Sequence, residues 1–175
     1  PMSHVAASPH PTGPDERALR AVHARLARAG SVPWLHDEVA RRMAARLGVI
    51  KRQPEAWLEW SGYLGGGAAR LRAHYPHARR LVKEPDDDLV RRSRTQVALP
   101  WWSLRRLGAG QDMVLDVDQP LPQPVQLLWA NMGLHLAADP RALMARWYEW
   151  LAVDGFLMFS TFGPDTLREI RDVYA

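Results

Sequence analysis

The chain of 175 residues contains no cysteine. Disulfides, thiolate nucleophiles and Cys–zinc sites are therefore excluded, and a reducing, cytoplasmic location is expected. No apolar run approaches the roughly 20 residues needed to cross a bilayer, so no membrane partner is expected. The first residues lack the basic and apolar regions of a secretory signal. Ligand spacing for a metal is missing as well. His36 has no second, properly spaced partner, and His4 and His10 sit in a stretch without periodicity, so no metal is expected. The net charge is +4, yet the arginines are spread along helix-like segments with acids among them. Solvated helix faces are expected rather than a nucleic-acid footprint, which would cluster its charge. An acidic carrier protein is compatible with that charge.

What is present suffices for a globular domain: 47% of residues are hydrophobic. Residues 1–14 hold four prolines and no periodic pattern, and read as a flexible tail ahead of a single domain over 15–175. A helix is expected from Asp15 to Ala29, with apolar positions at Leu19, Val22, Leu26 and Ala29 and Asp15 as cap. A second starts at Pro33 with Leu35, Val39, Met43 and Leu47 on one face, and His36, Asp37 and Glu38 in a solvated first turn. Strands are expected over Ala56–Trp60, Arg80–Glu84, Met113–Val117, Val125–Ala130 and Phe156–Thr161. Between them lie helices over about 66–74, over 90–97 capped by Asp86, Asp87 or Asp88, and after Asp139-Pro140, with a last helix over 166–174. Asp154-Gly155 reads as a turn. This alternation predicts an α/β fold: a doubly wound, mostly parallel, Rossmann-like sheet with helices on both faces and N-terminal helices ahead of the first strand.

The organising stretch is Glu59-Trp60-Ser61-Gly62-Tyr63-Leu64-Gly65-Gly66-Gly67, where a strand ends in an acid and a glycine-rich turn opens a helix. In open α/β sheets such a turn holds an adenosine-bearing ligand, because its free N–H groups favour an anion; a glycine-rich connection without ligand has the same pattern. Glu84 ends the second strand 25 positions later. It is placed either to accept both hydroxyls of a ribose or to act as an ordinary strand-end acid. Asp116 or Asp118 can accept from an adenine amino group. Pro100-Trp101-Trp102 reads as a core anchor or an apolar lid.

Three segments resemble the class I S-adenosylmethionine-dependent methyltransferases: Asn131-Met132-Gly133-Leu134-His135-Leu136, Ala152-Val153-Asp154-Gly155-Phe156, and Phe159-Ser160-Thr161-Phe162-Gly163-Pro164-Asp165-Thr166-Leu167-Arg168-Glu169. The last is similar to a segment of the malonyl-acyl-carrier-protein O-methyltransferases of biotin biosynthesis, as is Trp34-Leu35-His36-Asp37-Glu38-Val39-Ala40. The resemblance implies O-methylation of a small acyl carboxylate, with S-adenosylmethionine as cofactor. It implies that Glu59 with Ser61, Gly62 and Gly65 hold the methionine end. Glu84 with Pro85 would take the ribose, Asp118 the adenine, and Asn131 and His135 would face the sulfonium. No acid–base triad is implied, since alignment carries most of the catalysis when the acceptor is already a carboxylate. The chain departs from the family pattern of an acid followed by three alternating glycines: Ser61 and Tyr63 stand at the first two glycine positions. A protein of this fold that has lost its cofactor and serves as a partner or scaffold is the alternative. The family continues with two further strands; without them the last strand would show an open apolar edge inviting a homodimer or another partner.

Overall fold

The computed structural model describes residues 15–98, 112–163 and 166. The expected tail over 1–14, the Pro100-Trp101-Trp102 stretch and nearly all of the expected last helix lie outside them. Five strands form one parallel sheet in the order β3-β2-β1-β4-β5: β1 Ala56–Trp60, β2 Arg79–Lys83, β3 Met113–Leu115, β4 Val125–Ala130 and β5 Leu151–Phe159. Chain order reverses between β1 and β4, the switch point at which such sheets open a crevice.

Helix α1 (Glu16–Ala27) is capped by Asp15, which accepts from the Arg17 N–H, and α2 (Trp34–Ala45) follows Pro33. Pro33 stands at the cap position rather than inside the first turn. After β1 come the single turn α3 (Gly62–Gly65) and α4 (Ala68–His74). Helix α5 (Asp87–Val97) is capped by Asp86, and α6 (Pro140–Trp150) by Asp139. The cap carboxylates satisfy N–H groups that the first turn leaves without helical partners. Among the described residues, no helix is long and apolar enough to cross a membrane.

Alternation along β1 splits the core into two layers. Ala56 and Leu58 pack with Leu143 and Trp147 of α6 on one face. Trp57 packs on the other with Ala40 and Met43 of α2, Leu71 of α4 and Trp129 of β4. A third cluster joins Ala27, Leu64 and Leu89, so that α1, α3 and α5 meet over the carboxyl end of β2.

Asp154-Gly155 is not a turn ahead of a strand but a bulge inside a longer one. Val125 pairs with Leu151 and Leu127 with Phe156, so five steps of β5 match two of β4. Asp154 takes φ 59° in the bulge. A Cβ on Gly155 would stand 2.8 Å from the Ala152 carbonyl oxygen, so glycine is required there. Beyond β4, β5 has no strand neighbour among the described residues, and Val153, Phe159 and Phe162 are exposed along this region.

Candidate functional site

The glycine turn closes on itself. Ser61 adopts the left-handed conformation, φ 55° and ψ 46°, and turns the chain directly into α3. Glu59 is fully buried. Its Oε1 accepts from the Gly67 N–H at 2.9 Å, and its Oε2 accepts from Arg80 Nε at 2.9 Å and Nη2 at 2.6 Å. Arg80 Nη1 donates to Asp112 at 2.8 Å, and its guanidinium lies 5.5 Å from the centre of the Trp57 ring. Burial works against the Arg80 charge, but Glu59 and Asp112 outweigh it and hold the guanidinium protonated. The glycines make room for protein atoms. A Cβ on Gly67 would stand 2.5 Å from Trp129 Nε1, and one on Gly62 would stand 2.9 Å from Val82.

Glu84 lies beneath this turn and is buried. Its Oε1 accepts from the Tyr63 N–H at 2.8 Å and from the Ser93 hydroxyl at 2.6 Å, while Oε2 is buried without a partner. Burial, with the nearby Glu59 charge adding to it, pushes the carboxyl up to about 8, so it is protonated at neutral pH.

Asn131 joins four segments. Its Nδ2 donates to the His36 and Gly65 carbonyls, each at 2.7 Å, and its Oδ1 accepts from the Ser160 hydroxyl at 2.7 Å. His36 is buried and donates from Nδ1 to the Leu64 carbonyl at 2.9 Å, so the first turn of α2 is not solvated at this residue. Burial lowers its pKa, outweighing that hydrogen bond. His135 packs against Phe162, with ring centres 4.3 Å apart and planes tilted by 50°, and has a buried Nδ1 without a partner. Burial, and then the nearby His36 and His23, lower its pKa and favour the neutral ring.

Among the described residues, open space lies beside the turn at the carboxyl ends of the strands. A cleft of about 480 Å³ is walled by Trp60 at the end of β1, Pro85 and Asp86 after β2, Val117 and Asp118 after β3, and Trp150 of α6, with α1 supplying His23 and Arg20. A second hollow of about 440 Å³ shares Arg20, Pro85, Asp86, Val117 and Asp118 with it. Both are in the size range of small-molecule sites, about 300–1,000 Å³. His23 and Asp86 pair across it at 3.0 Å, joining α1 to the cap of α5. The buried Lys83 supports the far wall: its Nζ donates to the Asp116 and Val117 carbonyls at 3.1 and 2.8 Å, and lies 5.3 Å from the Trp150 ring centre.

The residues picked from the sequence therefore fall into two groups. Glu59, Ser61, Gly62, Gly65 and Asn131 meet around the turn and Glu84 lies under it, all engaged with protein atoms. Pro85 and Asp118 line the cleft, and His135 directly precedes its wall at Leu136. The apolar stripe at 19, 22, 26 and 29 passes over His23. The buried positions are Leu19, His23 and Ala27, an equally valid i, i+4, i+8 row in which a histidine facing inward is the signal.

No family model matches the chain. It is 37% identical over 145 residues to a malonyl-[acyl-carrier protein] O-methyltransferase of Laribacter hongkongensis, covering 81% of this chain and 48% of that protein. It is 31% identical over 164 residues to the protein of that name from Gallionella capsiferriformans, covering 91% and 56%. The chain thus spans about half the length of the curated relatives it matches. Among solved structures it is similar to the N-methyltransferase NodS of Bradyrhizobium japonicum in complex with S-adenosyl-L-homocysteine, with TM-score 0.61, 16% identity, and 89% and 79% of the two chains covered. It is also similar to the plantazolicin methyltransferase BpumL in complex with SAH, with TM-score 0.55, 11% identity, and 90% and 57% covered. The chain therefore carries the class I methyltransferase fold and, over about half of their length, is a sequence relative of the malonyl-[acyl-carrier protein] O-methyltransferases.

Proposed function

We propose that the chain forms the cofactor-binding part of an S-adenosylmethionine-dependent methyltransferase acting on the free carboxylate of a malonyl group held on an acidic carrier protein. The observation that carries this reading is the cleft at the carboxyl ends of β1, β2 and β3 in a chain 37% identical to a protein of that name. The cofactor's sulfonium supplies an electrophilic methyl group. The chain's own residues bind and orient. Trp60 and Trp150 offer apolar walls, Asp118 an acceptor for an amino group, and Lys83 holds the loop carrying Asp118. Neutral His135 adds no positive charge beside a cationic cofactor. A carboxylate acceptor needs no base, so positioning and exclusion of water carry the rate. The net charge of +4 favours an acidic carrier, and the absence of cysteine accords with the cytoplasm.

Calorimetric titration with S-adenosylhomocysteine, followed by transfer of a labelled methyl group to malonyl carrier protein, tests the reading. Micromolar binding with transfer to the malonyl but not the acetyl carrier supports it; no heat at high micromolar ligand ends it. The internally satisfied turn favours a second reading, a partner or scaffold that no longer binds cofactor. In that case replacing Ser61 and Tyr63 by glycine creates binding that the parent lacks.

A further inference from the structure

The acid expected at a ribose is Glu84, and its surroundings do not suit the task. A ribose presents two hydroxyl donors and needs acceptors that a ligand can reach. Glu84 Oε1 already accepts twice, from the Tyr63 N–H and the Ser93 hydroxyl; Oε2 has no partner but is sealed from solvent, and Glu84 is not among the residues that line the cleft. Its carboxyl, pushed up to about 8, is protonated at neutral pH.

Two residues further on, the geometry is different. Asp86 lines both the 480 Å³ cleft and the 440 Å³ hollow beside it. Its Oδ1 accepts from the Leu89 N–H at 2.9 Å, and its Oδ2 meets His23 Nδ1 at 3.0 Å. The Asp88 N–H also bonds this carboxylate, which with about four lone-pair sites keeps acceptor capacity beyond these three partners. Burial raises the pKa of Asp86, but the His23 and Leu89 hydrogen bonds outweigh it, and the carboxylate is ionised near neutrality. His23 is 5% exposed, and also lines the cleft. In the tautomer that donates Nδ1–H to Asp86, Nε2 is left as a second acceptor. The pair bridges α1 and the α5 cap, which are also joined through Ala27, Leu64 and Leu89 and by Arg92 donating to the Ala27 carbonyl. Its two members are thus held from both sides.

We propose that the Asp86–His23 pair, rather than Glu84, accepts the two hydroxyls of the ribose when an S-adenosyl nucleoside occupies the cleft. The inference rests on the cofactor reading above, and it assigns to α1 a part in ligand recognition besides covering the sheet. Trp60, Val117 and Asp118 line the same cleft and would hold the nucleoside with the pair.

The test measures S-adenosylhomocysteine and its 2′,3′-dideoxy analogue by calorimetry against the parent, Asp86→Asn, Asp86→Ser, His23→Gln and Glu84→Gln. Asn and Ser both keep an N-cap acceptor, and thermal melting confirms that each variant is folded. The expected result is a loss of at least about tenfold for Asp86→Asn with the parent ligand, a smaller loss for His23→Gln, and little change for the dideoxy analogue, since the variant and the missing hydroxyls remove the same contacts. Glu84→Gln is expected to cost less than Asp86→Asn. A larger loss for Glu84→Gln, or an equal loss with both ligands for Asp86→Asn, overturns the assignment while leaving the cofactor reading intact. Failure of the parent to bind S-adenosylhomocysteine at all removes both.

Discussion

Replacing Glu84 by glutamine tests the burial of this carboxyl through its pH dependence. The group sits 1% exposed, with a pKa moved from an ordinary value of 4.5 to about 8, chiefly by burial. A carboxyl raised in the folded state contributes stability that is fully present below 4.5 and is lost as pH rises through about 8. At 1.36 kcal/mol per pH unit, the parent loses about 4 kcal/mol from this group between pH 5 and pH 9. A glutamine amide in its place does not titrate. It keeps an acceptor for the Tyr63 N–H and the Ser93 hydroxyl, but places an NH2 where Oε2 has no partner. That costs about 1–3 kcal/mol, at every pH alike. Urea denaturation of both proteins at pH 5, 7 and 9 should therefore show Glu84→Gln gaining on the parent by about 4 kcal/mol across the range. All other titrating groups cancel in the difference to the extent that they are shared. A difference flat to within about 1 kcal/mol refutes the reasoning, because it means that Glu84 reaches water in the folded protein.

Three further outcomes follow from the closed turn. Arg80→Met removes one partner of a buried ion pair and leaves the fully buried Glu59 with the Gly67 N–H as its remaining partner, and should cost about 3–5 kcal/mol in urea denaturation. Gly67→Ala drives a methyl group to 2.5 Å from Trp129 Nε1 and 2.8 Å from the Glu59 carboxylate; an unfolding free energy lower by at least about 1 kcal/mol is expected, with a changed Trp129 fluorescence signal. Ser61→Gly removes the penalty on a side chain at φ 55° and should stabilise by about 1 kcal/mol in thermal melting, less the entropy that glycine adds to the unfolded chain.

Much of the architecture was legible locally. The strands Ala56–Trp60 and Val125–Ala130 stand where the apolar runs lie, because strands buried on both faces need little else to declare themselves. Asp86 and Asp139 cap helices as short-range hydrogen bonding dictates. The alternation of these elements determined a parallel, doubly wound sheet. The sequence pattern also marked Asp118, and the family resemblance Pro85; both line the cleft. Partners distant in sequence could not be read this way. That Arg80 closes on Glu59 depends on β1 and β2 lying side by side, in the register that sets Glu59 opposite Val82, and no periodicity announces a register. His23 and His36 turn inward only because α1 and α2 dock on the rest of the fold. The bulge at Asp154 arises from pairing with β4, not from the Asp-Gly pair alone. Sequence by itself thus decided which segments are strands and helices, since those choices rest on neighbours a few residues apart. Tertiary packing decided which acids are sealed and which line open space, since burial and charge pairing depend on residues that meet only once the sheet has formed.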